Sequence, residues 1–436
     1  MIHSHHNGHT SASNSNGHGN GHARPQRVVV TGIGAITPVG IGKDDLWAGV
    51  RSGVSAVRAI TRFDASPLAS RIAGEVDGFD PLDHLDARKV RRLDRFAQFS
   101  LVATQMALAD ARFDMEREAT EEVGIYVGSA LGGIAFGEEQ HLSYVQGGLR
   151  SVQPTLALAV FGGASISNIA IAIGANGPNV ANANSCASGA IAIGEAYRLI
   201  KYGGATAVLA GGVEAPLAPL TFGAFALIKA MSTRNDDPAR ASRPFDRDRD
   251  GFVMAEGAAM LVVEELGHAL RRDAPIYAEV LGYGISNDAY HMTAPLPSGR
   301  QAARAIRLAL TEAELEPAAI GYVNAHASST PLNDRTETLA LKEALGEHAW
   351  RVPVSGTKGL HAHALGATGA IEAAICALAI ERRYLPGTAN LECPDDDCDL
   401  TYLRGEGEER AVDYVLSNSF GFGGINASLI FGRYGA

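Results

Sequence analysis

The sequence predicts an α/β fold made of two copies of one unit, and three observations predict it. From residue 27 onward, short apolar runs alternate with helical patterns, the mark of largely buried sheets. The order of those runs occurs twice along the chain. The composition, 46% hydrophobic and 19% charged over 436 residues, suits a large folded protein with one extensive core or two similar ones.

Taken in order, residues 1–26 are rich in His, Asn, Gly and Ser and hold almost nothing to bury, so a disordered tail is expected there. The chain then reads RVVVTGIGAITPVG (27–40), a β-branched run meeting a Gly-rich turn. GIYVGSALGG (124–133) reads as strand and glycine turn. NVANANSCASGAIAIGEAYRLIKYGG (179–204) reads as strand, sharp turn and helix, and ATAVLAGGVEA (205–215) as another strand. After the Arg/Asp-rich segment 232–252 the order repeats. IYAEVLGYGISND (276–288) echoes the opening run, IGYVNAHASST (320–330) the second, residues 353–386 the turn and helix, and VLSNSFGFGGINASLIFG (415–432) the last. The division is expected near residue 274, giving halves 27–274 and 275–436. Corresponding turns should meet at a pseudo-twofold axis, where a shared site would form.

Bulk properties exclude several classes. A net charge of −11 opposes general nucleic-acid binding, which needs a basic surface. No apolar run reaches the ~18 residues of a membrane span, and the start lacks the order of a signal peptide, so the cytoplasm is expected. Cys186, Cys376, Cys393 and Cys398 are too few for a disulfide scaffold and lack paired zinc spacing.

Cys186 is the first chemical candidate. NSCASGA places it at a strand-to-helix turn, where unpaired N–H groups and the helix dipole favour thiolate. A small buried hydrophobe is the commoner fate of a cysteine. The second copy supplies partners: His326 ends the strand GYVNA, Lys358 stands at the turn matching that of Cys186, and His363 follows five residues on. A thiolate with two imidazole donors suits acyl transfer followed by carbon–carbon bond formation.

VTGIGAITPVG, AMSTRNDDPARASRPFD, SNDAYHMTAP, GYVNAH, GTK, HALGATGAIE and SNSFGFGGINASLIF together resemble the elongating β-ketoacyl-acyl-carrier-protein synthases, closest to synthase II, over residues 27–434. The resemblance implies a thiolase-like fold of two pseudo-symmetric α/β halves in five αβαβα layers. It implies that Cys186 takes an acyl group from carrier protein, its oxyanion held by the backbone N–H groups of Cys186 and Phe422. His326 and His363 then polarise a malonyl thioester that loses CO2. Lys358, paired with Glu372, orders the site. Ser328 and Thr330 bind the phosphopantetheine arm, and Phe422 beside Phe420 gates the pocket. Leu131 lines the acyl pocket, joined by Leu156 from across a dimer interface. Arg88, Arg91, Arg92, Arg150 and Lys229 match positions that face acidic carrier protein, a local cluster that would steer such a partner to an acidic chain. No metal and no organic cofactor is expected beyond the carrier's pantetheine. A homodimer is expected, with a chain-length-factor heterodimer as the alternative.

The chain departs from the family pattern at two places. HASST replaces HGTST, which puts Ala327 where glycine is usual, and Ala362 stands before His363 where glycine is usual, after an extra His361. The two changes leave the catalytic residue types intact and shift the question to the substrate. HAH alone makes a poor metal site, lacking a third ligand in register. A degradative thiolase would need a second cysteine in GFGGINAS, a chain-initiating synthase would carry Asn at 363, and a chain-length factor would lack the nucleophile. A nucleotide-binding module would need GxGxxG and its acidic residue, which TGIGAITPVG does not supply.

Overall fold

The computed structural model describes residues 25–436, so the expected tail lies outside the described residues except for its last two. Gln26 donates its backbone N–H to the Lys201 carbonyl at 2.9 Å, so the last residue of that segment is tied to the fold.

Apart from the two-residue strand Gly40–Ile41 at the end of the first strand, the eleven-stranded central sheet divides into five strands and five. The first set is β1 (Val28–Thr37), β2 (Val123–Gly128), β3 (Asn179–Asn182), β4 (Ala207–Glu214) and β5 (Gly257–Glu265). The second is β6 (Ala278–Asn287), β7 (Tyr322–Asn324), β8 (Val354–Ser355), β9 (Tyr414–Gly421) and β10 (Ile425–Gly432). Their orders, β1-β5-β4-β2-β3 and β6-β10-β9-β7-β8, are the same permutation. The senses also agree: each first strand is antiparallel to its fifth and each second is parallel to its third. The sets join where Val28–Val30 of β1 pair with Ala278–Val280 of β6.

Helices α1 (Arg95–Asp110) and α2 (Ala164–Ile173) cover the outer face of the first set. Between the two sets lies α3 (Ser188–Lys201). The outer face of the second set carries α4 (Arg300–Glu312) and α5 (Pro331–Leu345), and α6 (Thr368–Arg382) packs on α3. This is the five-layered αβαβα arrangement. Every residue of α6 from Thr368 to Ile380 is buried, as expected of a helix that is apolar all round.

Two sequence expectations need correction. Gly32 and Gly34 do not form a turn, because β1 runs through them to Thr37; the turn comes after them, at Pro38–Val39, and brings Gly40 back against Thr37. They let the strand approach a helix: a Cβ on Gly34 would overlap the Ala103 carbonyl of α1, and one on Gly284 would overlap the Ala305 carbonyl of α4. The duplicated glycine pair thus marks a duplicated strand–helix contact. The fifth strand of the first set, β5, lies outside the apolar runs that mark the other strands in the sequence.

The N-termini of α3 and α6 face each other in the middle layer. A Cβ on Gly189 would stand 2.9 Å from the Gly366 carbonyl oxygen, and one on Gly369 would stand 2.7 Å from the Ala190 nitrogen. The matching turns therefore meet at the molecule's internal axis.

Candidate active site

Cys186 lies in the 3-10 turn Ser185–Ala187 that leads into α3, with Ser185 at φ 51°. The turn Leu365–Ala367 leads into α6 in the same way, with Leu365 at φ 41°. SCASGAI and LGATGAI therefore align, and the mate of Cys186 is Gly366. This corrects the expected match with Lys358, which starts the short helix Lys358–His361 in the longer stretch between β8 and α6.

A cavity of about 310 Å³ is lined by Cys186, His326, His363, Phe420, Phe422 and Ser328, with Thr330 and Lys229 also on its wall. The two imidazoles are 5.4 Å apart, centre to centre, with planes at 80°. His326 follows β7, and Lys358 Nζ is 3.4 Å from its Nδ1 and also donates to its carbonyl oxygen. A lysine can only donate, so Nδ1 accepts and the ring proton sits on Nε2. His363 is held through Nδ1 by Thr368 Oγ1 at 3.0 Å, from the first residue of α6. Burial, reinforced by the charge of Lys358, holds both histidines well below the usual imidazole range, so both are neutral.

Lys358 is itself buried and pairs with Glu372 at 2.6 Å. Burial pushes the Glu372 carboxyl up to about 8 against the pull of that lysine. His361 turns away to Thr357 at 3.1 Å, and no group of three metal-ligating side chains occurs among the described residues.

The thiolate expected at Cys186 is not the resting state. Burial, with 8% of the residue exposed, pushes the thiol up to about 12, and the opposing effects of Lys358 and the Phe422 and Cys186 N–H groups are smaller. Removal from water outweighs the helix terminus. The sulfur must lose its proton as it reacts; His326 already carries its ring proton on Nε2, whereas His363, whose Thr368 hydroxyl partner serves either tautomer, is able to accept one.

The remaining candidates fall in several places. Leu131 packs in the apolar cluster around Cys186, with Leu365, Leu217, Phe252 and Phe422. Phe422 stacks on Phe225 at 6.4 Å and Phe420 leans on His326 at 5.8 Å. Ser328 and Thr330 hydrogen-bond each other at 2.9 Å. Leu156 starts the short helix Leu156–Ala159 and is not part of the cavity wall. Arg88, Arg91, Arg92, Arg150 and Lys229 are all exposed.

Sequence reasoning missed two buried carboxylates. Glu337 accepts from the backbone N–H groups of His326 and Ala327, each at 2.8 Å, and so fixes the strand end that carries His326. Its signal was legible, since it falls on the apolar stripe Ala340, Leu341 and Ala344 of α5. Glu214, the one charge in β4, is the other. Both departures at glycine positions have a backbone cost: Ala327 sits at φ 42°, and Ala362 at φ 58°, ψ −164°, a region almost confined to glycine.

Comparison with known proteins gives a consistent result. The family model "Beta-ketoacyl synthase, N-terminal domain" matches residues 25–269, and "Beta-ketoacyl synthase, C-terminal domain" matches residues 277–392. The 3-oxoacyl-[acyl-carrier-protein] synthase 2 of Synechocystis sp. is 46% identical over 94% of this chain and 98% of its own length. The protein of that name from Coxiella burnetii is 42% identical over 94% and 99%. A solved type II PKS acyl-carrier protein in complex with its ketosynthase bound to the hexaketide matches with a TM-score of 0.88 at 34% identity, covering 94% of this chain and 100% of that one. The ishigamide ketosynthase/chain length factor matches with a TM-score of 0.89 at 34% identity, covering 94% and 100%.

Proposed function

The chain belongs to the β-ketoacyl synthase family, and from that premise we propose that it joins an acyl group carried on Cys186 to malonyl-acyl carrier protein, with loss of CO2. The observation that carries this reading is one cavity holding a buried thiol and two neutral imidazoles. In the first half-reaction Cys186 Sγ attacks the acyl thioester carbonyl and its proton passes to His363 and then to the departing pantetheine sulfur. The N–H groups of Cys186 and Phe422 stabilise the tetrahedral oxyanion. In the second, His326 and His363 donate to the malonyl thioester oxygen. The C–C bond to the carboxylate breaks, CO2 leaves, and the resulting enolate carbon attacks the acyl carbonyl. Collapse of that adduct expels the sulfur as thiolate, which takes a proton from water to restore the thiol, and gives a 3-oxoacyl thioester. The pair Lys358–Glu372 fixes the His326 tautomer that donation requires.

Ser328 and Thr330 serve the pantetheine arm, Phe420 and Phe422 gate entry, and Leu131 with a partner's Leu156 bounds the acyl chain. Arg88, Arg91, Arg92, Arg150 and Lys229 receive the acidic carrier. We assign no step to a resident metal or organic cofactor, since loss of CO2 drives the condensation. The halves divide near residue 274. The chain works as a homodimer in the cytoplasm; among the described residues no helix is long and apolar enough to cross a membrane. The exposed strand edge of β3, against α2 with its exposed Ile171, supports a paired state. A heterodimer with a chain-length factor is the second reading, favoured by the likeness to the ishigamide ketosynthase/chain length factor.

Cys186→Ala tests the reading. Incubated with acyl-carrier protein, the unaltered chain gains the mass of the acyl group and the variant does not; condensation by the variant at the normal rate would show the nucleophile to be wrong.

A further inference from the structure

Glu214 ends β4, is fully buried and is used by none of the steps above. Its four hydrogen bonds reach two separate segments. One oxygen accepts from Leu131 N at 3.0 Å and Ser129 Oγ at 3.1 Å. The other accepts from Ala130 N at 2.7 Å and from Gly366 N at 2.9 Å. The segments also touch directly, since a Cβ on Gly366 would stand 2.5 Å from Ala130 N. Each carries a leucine, Leu131 or Leu365, into the apolar cluster that contains Cys186.

The internal symmetry gives this contact a meaning. Gly366 is the mate of Cys186, and aligning GGVEA of β4 with NSFGF of β9 makes Glu214 the mate of Gly421, which abuts the Cys186 nitrogen. In one copy the N–H at the nose of the helix is left for a substrate oxyanion. In the other a carboxylate of the protein already occupies it.

We propose that Glu214 is a positioning residue that sets which acyl chains Cys186 accepts, by tying the Ser129–Leu131 loop to the Leu365–Gly366 turn. It acts through those two leucines and does not touch the reacting atoms. The inference rests on the condensing reading given above. Burial pushes the Glu214 carboxyl up to about 7, so its grip on four donors is also sensitive to its environment near neutrality.

Glu214→Gln turns one acceptor edge into a donor facing two N–H groups, or a hydroxyl and an N–H group. The test measures kcat/KM for acylation of Cys186 by a short and a long acyl-carrier donor. The long-to-short ratio is expected to shift about tenfold, equivalent to ~1.4 kcal/mol between the two transition states. An unchanged ratio in a folded variant overturns the proposal. If Glu214→Gln does not fold, Ser129→Ala removes one of the four donors and is expected to shift the ratio the same way by a smaller factor; no shift there overturns it. Absence of any acyl-enzyme in the unaltered protein would overturn the condensing reading, and this inference with it, an outcome distinct from an unchanged ratio.

Discussion

At the residue scale, the two imidazoles have different supports and one proposed task. His363 rests on a hydroxyl at the start of α6, and His326 on a buried ammonium. His363→Ala removes one of two donors to the developing enolate, and malonyl-carrier decarboxylation, measured as CO2 release from an already acylated enzyme, should fall by ~10²–10³-fold. Retention of full decarboxylation would move the enolate role elsewhere. Ala362, next to it, is strained rather than helpful: its φ and ψ suit glycine. Such a backbone costs ~1–3 kcal/mol, while glycine returns ~0.4–1 kcal/mol to the unfolded chain. Ala362→Gly should therefore raise stability by about 1 kcal/mol in urea unfolding, and a lower midpoint would mean that the methyl packs better than the backbone suffers.

At the scale of elements, the duplicated glycines control how closely a strand lies on its helix. Gly34→Ala would push a methyl into the Ala103 carbonyl and should cost at least ~2 kcal/mol by overpacking, read as a lower denaturation midpoint. Little change would mean that α1 can withdraw freely. These contacts also show what the sequence could and could not tell. Apolar runs and their repetition were legible because buried strands and one buried helix leave long apolar stretches, and Cys186, His326 and His363 stood out at strand-end turns. The glycines read as turns because their spacing says nothing about a helix lying across the strand. Lys358 was matched to Cys186 because counting from the strand ignores the extra residues of 356–367, whereas the helix motif GAI aligns Gly366. Desolvation of the Cys186 thiol was illegible for a similar reason, since it depends on residues distant in the chain.

At the scale of the whole molecule, buried titratable groups should give stability two opposed arms. Burial pushes Glu214 and Glu337 up to about 7 and Glu372 up to about 8, so the folded state holds these protons more tightly than the unfolded chain. Their contribution is complete below the ordinary value of 4.5 and is lost as pH rises to 7–8. His326 and His363 lie well below 6.5 and His361 falls to about 3, so the unfolded chain takes up those protons first and stability declines as pH drops below 6.5. Between 4.5 and 6.5 the three carboxyls and three imidazoles roughly offset each other. Denaturation midpoints from acid to mild alkali should form a plateau in that interval with a fall on each side, and a steady rise into alkali would contradict it. The seam between the halves has a consequence of another kind. They meet through one short strand pairing, they share the middle helices, and Arg27 lies over the ring of Tyr434 at 5.7 Å. A circular permutant joined between those two residues and opened at exposed Asp273 would trace the same layers in the reverse order of halves, so the fold depends on both halves being present and very little on which is made first.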